Sequence, residues 1–200
     1  MKGFVKNGKN KLFAVSVVVS ALVIAFFGAF SLASQKEAPA QFTEARENAA
    51  SVSREIVGLT GLVNKKIGEA SDFEIGGKKG EALARIEEAR IYNGEAYDKA
   101  LELSEHLSSL ASSLSRVPKE KRKAALEATT VELPLVQEFI SYTKNLNNFF
   151  NSLTETIQMK DDKNEDRISG LLATVNKNVE RINFLNDEFL RKMRIFDGSF

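Results

Sequence analysis

Cysteine is absent from the 200 residues. That excludes disulfides, thiolate metal sites, cysteine nucleophiles and lipid attachment through cysteine. Histidine occurs once, at His106, so a site built on two imidazoles is unavailable. A di-iron bundle needs Glu-x-x-His on two helices, and here Leu103 stands where the glutamate would be. Tryptophan is missing, and only 3 prolines and 12 glycines interrupt the chain, which suits long regular elements. There is no Asn-x-Ser/Thr sequon. An excess of one charge is also missing, with 28 bases against 27 acids and a net of +1. A balance of this kind argues against nucleic acid as a partner, because phosphate binding depends on a basic excess.

Charge is nonetheless distributed unevenly. Residues 1–36 hold no acid, while Lys2, Lys6, Lys9 and Lys11 crowd the first eleven positions. Residues 12–35 hold no charge at all, a run of 24 residues. As a helix this run measures about 36 Å, enough for a hydrocarbon core of about 30 Å. It has no polar face, which a helix of a soluble bundle requires. The sequence therefore predicts a transmembrane signal-anchor helix over 12–35, a basic cytoplasmic segment over 1–11 and an extracytoplasmic helical domain over 36–200. Lysine-rich flanks stay in the cytoplasm, which sets this single-pass orientation. Ser31-Leu32-Ala33 also resembles a small-x-small cleavage site, so a secreted protein after signal cleavage is the alternative. Ala21, Ala25 and Ala29 fall four apart and form a potential packing seam in lipid.

Beyond residue 35 the apolar spacing is helical almost throughout. Phe42, Ala45, Ala49, Val52, Ile56, Leu59 and Val63 step alternately by three and four. Glu74-Ile75-Gly76-Gly77 is a turn signal, and a second helix is expected from about Lys79 to Val117. Gly94 falls inside it, at a cost of about 1 kcal/mol relative to alanine. Pro118 suits the start of a third helical segment. Pro134 predicts a break in that segment, with a short piece over 119–130 and a longer one over 134–159. The polar stretch from Lys160 to Asp166 leads into a fourth helix carrying Leu172, Val175, Val179, Ile182, Asn186, Phe189, Met193 and Phe196. The fold class expected is all-α: the transmembrane helix followed by an elongated antiparallel up-down four-helix bundle with coiled-coil-like packing. In architecture alone, this resembles the four-helix sensor domains of bacterial chemoreceptors; it shares no motif with them, and the chain shows no second span or output module.

An even number of helices returns the chain to its starting side. The second connection and the final turns then lie near the membrane. That end collects Lys119, Lys121, Arg122 and Lys123, then Arg191, Lys192 and Arg194, with Phe196 and Phe200 beside them. These nine residues are the expected membrane-interface set, because cations near anionic headgroups are favourable. Thr143 and Asn186 are polar residues in otherwise apolar seams, and a buried asparagine can fix register or oligomeric state. Phe149 and Phe150 are adjacent, so their side chains diverge by about 100° on a helix. One ring is expected at the edge of the core or outside it. Together with Asn186, this pair forms the expected partner-binding set.

Other motifs carry little chemistry. Gly76-Gly77-Lys78-Lys79-Gly80 lacks the spacing of a phosphate loop. Asp162 to Ala173 begins like a calcium loop, but Arg167 replaces the required glycine and Ala173 the closing glutamate. His106 reads as a flanking surface residue, with Glu102 one turn before it. Tyr92, Tyr97 and Tyr142 are available to packing or to a ligand pocket between helices. No catalytic constellation, cofactor site or metal site is expected. The function expected is a non-enzymatic, membrane-anchored extracytoplasmic scaffold or adaptor that meets membrane lipid and a protein partner, or self-associates through its helical faces. A ligand-sensing bundle acting through a partner protein is the alternative.

Overall fold

A computed structural model describes residues 40–159 and 165–197, without the side chains at 120, 121, 159, 165, 196 and 197. The expected basic segment, signal-anchor helix, cleavage site and residues 160–164 of the polar connection lie outside the described residues, as does Phe200; the side chains of Lys121 and Phe196 do too. Four helices pack against each other: α1 (Ala40–Ile75), α2 (Lys79–Ser113), α3 (Lys119–Met159) and α4 (Glu165–Asp197). No strand occurs among the described residues. Nor is any described helix long and apolar enough to cross a membrane.

The α1–α2 turn follows from its two glycines. The Lys78 amide donates to the Phe73 carbonyl at 2.8 Å, and the Gly77 amide to the Glu74 carbonyl at 2.9 Å. Gly77 sits at φ 75°, the left-handed conformation that glycine adopts without strain. The α2–α3 connection is a 3₁₀ turn over Leu114–Arg116 followed by Pro118. Arg122 closes it from inside α3, donating to the carbonyls of Ser115 at 2.6 Å and Val117 at 3.1 Å. Carbonyls left open in the connecting turn thereby gain a cationic donor.

Consecutive helices are antiparallel. Lys66 meets Glu88 while Glu55 meets Lys99 across α1 and α2. Lys79 reaches the Ile157 carbonyl and Asn93 the Thr143 carbonyl across α2 and α3. Glu127 meets Lys192 and Glu155 meets Arg167 across α3 and α4. Phe42, Leu110, Ala125 and Met193 surround one small cavity, so one end of the bundle unites the start of α1, the end of α2, the start of α3 and the end of α4. The expected fold-back of the chain is therefore present through Met193.

Two expectations need correction. Pro134 does not divide the third segment, because α3 runs unbroken through it. The missing Pro134 N–H leaves the Thr130 carbonyl without its helical donor, and both residues are exposed, so water can serve that carbonyl. An internal proline costs about 3 kcal/mol. Burial of Leu135, Val136 and Phe139 just beyond it returns about 1.5–3 kcal/mol each. Packing therefore outweighs the local penalty. The second correction concerns the phenylalanine pair. Phe149 and Phe150 are both buried, at 4% and 0% exposure. Along α3 the buried positions come in adjacent pairs, Leu135-Val136, Tyr142-Thr143 and Phe149-Phe150. The helix buries a broad stripe because it packs against both α2 and α4, and a stripe of 100° or more takes both rings.

Candidate functional site

The core carries a polar layer at the end where all four helices meet. Arg46 enters from α1 and is 6% exposed; Glu132 enters from α3 and is 2% exposed. Both line the cavity of about 10 Å³ shared with Phe42, Leu110 and Met193. That volume is near the minimum for a single water. Burial pushes the Glu132 carboxyl up to about 8, and the Arg46 guanidinium pulls it back only in part. Glu132 Oε1 makes no hydrogen bond to a described residue. Asn186 lies one heptad before Met193 on α4, and Ser53 one heptad after Arg46 on α1. Both are buried, and Asn186 Oδ1 and Ser53 Oγ also lack a described partner. Asn186 and Thr143 thus occupy the core, as the seams predict. Asn186 is not open to a partner on the folded bundle, and neither are Phe149 and Phe150.

Further along, polar contacts tie helix pairs together. Asn145 Nδ2 donates to Asn178 Oδ1 at 2.8 Å, and Asn178 Nδ2 donates to Glu138 Oε1 at 2.5 Å, linking α3 to α4. Tyr142 is fully buried and its hydroxyl has no described partner; burial pushes its pKa up. Sequence spacing leaves Tyr142 open to packing or to a pocket and gives no sign of an unmet hydroxyl.

The outer face of the α1–α2 hairpin is built differently. Glu55, Leu62, Lys66 and Glu69 share one stripe of α1, and Arg85, Glu88, Ile91, Lys99 and Glu102 share the facing stripe of α2. Lys99 pairs with Glu55 and Glu102, both at 2.8 Å. Lys66 pairs with Glu88 at 2.8 Å and Glu69 at 3.0 Å, and Arg85 joins the same acids. The partners hold Lys66 and Lys99 above the usual lysine range and Glu88 and Glu102 below the usual carboxylate range. Between these two charged clusters lie Leu62 and Ile91, at 38% and 54% exposure. The two stand at about the same level of the hairpin, with an ion-paired cluster on either side of that level along its length. Phe184 is a second exposed ring, on α4, with the Arg181 guanidinium 5.1 Å from its centroid.

A polar groove of about 360 Å³ opens between α2 and α3, lined by Arg90, Asn93, Gly94, Tyr97, Asp98, Thr143, Lys144 and Asn147. A Cβ at Gly94 would meet nothing within 4 Å, so this glycine does not serve close helix contact. The Lys144 ammonium lies 5.6 Å from the Tyr97 centroid. Tyr97 and Tyr92 are partly exposed. His106 is half-buried on α2, its Nε2 3.8 Å from a Glu102 oxygen. Among the described residues no group of three or more His, Cys, Asp or Glu is placed to hold a metal ion.

The six expected membrane-interface residues whose side chains are described divide into three groups. Lys119, Lys123 and Arg194 are exposed and make no ion pair with a described residue. Arg191 pairs with Glu188 at 2.9 Å, and Lys192 with Glu127 at 2.6 Å, which lowers the Glu127 pKa. Arg122 is committed to the α2–α3 turn. No protein-family model, curated protein or solved structure matches the chain.

Proposed function

We propose that the protein is a membrane-anchored, extracytoplasmic helical scaffold that docks a protein partner on the outer face of its α1–α2 hairpin. Residues 12–35 would cross the membrane once, with the lysine-rich start in the cytoplasm. The observation that carries the docking role is the exposure of Leu62 and Ile91 at one level of the hairpin. A lone exposed leucine is ordinary on a protein surface, but these two stand at one level of the same hairpin. Here the core is complete without them, and charge networks flank them on two sides. A small apolar centre inside a polar rim is the arrangement by which interfaces concentrate binding energy.

Photocrosslinking tests this reading. A benzophenone residue at Leu62 or at Ile91 in native membranes should give one adduct of the same mass from both sites. A reporter at exposed Gly170 on α4 should not give it. With the reporter at Leu62, Ile91→Asp should abolish the adduct, and with the reporter at Ile91, Leu62→Asp should do so, while the melting temperature stays within a few degrees, since both side chains are surface residues. An adduct of twice the chain mass would identify the partner as a second copy. Adducts unaffected by the aspartate at the other position, or none at all, would remove the scaffold reading.

One observation favours a second reading. The α2–α3 groove has the volume of a small-ligand site. Arg90 and Lys144 could meet a carboxylate there and Asp98 an ammonium. A sensor of a small zwitterion would use it, passing its signal to a partner. A thermal shift by free amino acids that is lost in R90A and D98A would select this reading over the scaffold.

A further inference from the structure

We infer that the end of the bundle where α3 begins and α4 ends rests on an anionic lipid surface, with the α3–α4 side turned toward the headgroups. The inference rests on the membrane-anchored reading above. Its first support is geometric. Gln35 closes the uncharged run and Ala40 begins α1, five residues later. Five residues reach at most about 18 Å even when fully extended. A span ending at Gln35 therefore holds this end of the bundle within about two Debye lengths of the headgroups at physiological salt.

The second support is what the end presents. Arg116 in the connecting turn, Lys119 and Lys123 at the start of α3, and Arg194 in the last turn of α4 are exposed. None closes an ion pair with a described residue. Lys123 also adds to the positive field that lowers the Glu127 pKa. On the same two helices Leu126 and Ile195 are exposed at 54% and 57%. Cations and apolar side chains together suit an interface where charge meets headgroups and hydrocarbon lies just beneath. The α1 side of this end differs. Glu44 and Glu47 are exposed in its first turns. Repulsion of these acids from an anionic surface turns the α3–α4 side downward.

The absence of cysteine makes the test direct. Ser115→Cys carries a fluorophore beside the basic turn, and Glu81→Cys carries one at the opposite end of α2. The full chain is placed in nanodiscs of phosphatidylcholine alone or mixed with phosphatidylglycerol, with brominated acyl chains as quencher. The Ser115→Cys label should be quenched strongly in the anionic discs and weakly in the neutral ones, and the Glu81→Cys label in neither. High salt, or the triple change K119E/K123E/R194E, should abolish the difference. Each cation contributes roughly a fivefold preference for the surface, so three together contribute on the order of a hundredfold. All three side chains are exposed, so far-UV circular dichroism of the triple variant should match that of the wild type. Equal quenching in the two lipids, with the chain still co-purifying with the discs, overturns the docking and leaves the anchor standing. Failure to co-purify overturns both.

Discussion

The Glu132 carboxyl makes stability depend on pH in a direction opposite to that of ordinary surface acids. In the unfolded chain it titrates near 4.5, and in the folded bundle burial raises it to about 8. The folded state therefore holds a proton that the unfolded state has released. The stabilisation from the neutral acid is fully present below about 4.5 and is lost as pH rises through about 8. A difference of this size corresponds to about 5 kcal/mol across the window, at 1.36 kcal/mol per unit. Arg46 sets the counterforce, because its guanidinium favours the ionised acid. The other residues lining the cavity, Leu110 of α2 and Met193 of α4 among them, offer no charge. Urea unfolding of the full chain in detergent should show wild-type stability falling from pH 5 to pH 9. E132Q mimics the neutral carboxyl, so it should flatten that slope and be the more stable form at pH 9. A wild-type curve parallel to that of E132Q, or rising with pH, would refute the reasoning and show that the Arg46 attraction outweighs desolvation.

Further outcomes follow from the same geometry. Glu88, Glu102 and Glu127 have pKa values lowered by Lys66, Lys99 and Lys192. Their stabilisation is present above about 4.5 and is lost as pH falls through the folded values, so an acid limb should appear below pH 4.5 in the same titration and shrink in an E88Q/E102Q/E127Q chain. Gly94→Ala should raise stability by about 1 kcal/mol, because the added methyl meets open space. Gly77→Ala should lower it by about 1–2 kcal/mol, because φ is positive there. Both are read from urea midpoints. Phe150→Ala should cost about 3–5 kcal/mol by opening the core. Phe184→Ala should change stability by no more than about 0.5 kcal/mol.

Much of the bundle is legible in heptad spacing. The steps through Phe42, Val52, Ile56 and Val63 mark the buried face of α1, and the paired glycines mark its end. What spacing does not reveal is the width of a buried stripe. Phe149 and Phe150 cannot share a narrow seam, and a single sequence does not announce that α3 is flanked on both sides. Pro134 misleads for a related reason, since its penalty is local and the burial that offsets it is tertiary. Arg122 shows the same limit at the basic end: a cation in a charged run signals a surface, yet this one is spent on the carbonyls of the turn before it. Leu62 and Ile91 reach the same level only once α1 and α2 pair in register, so neither stands out in the chain. Arg46 and Glu132 lie 86 positions apart, and nothing between them predicts a shared cavity.

The central claim is a bundle held outside the cytoplasm by a single span. Two single-cysteine chains test it, Asn7→Cys before the uncharged run and Ser115→Cys beyond it, in sealed right-side-out membrane vesicles treated with an impermeant maleimide. The account predicts rapid labelling of the second and protection of the first until detergent is added, with both chains resisting carbonate extraction. Labelling of both before detergent, or release of the intact chain by carbonate, would contradict it.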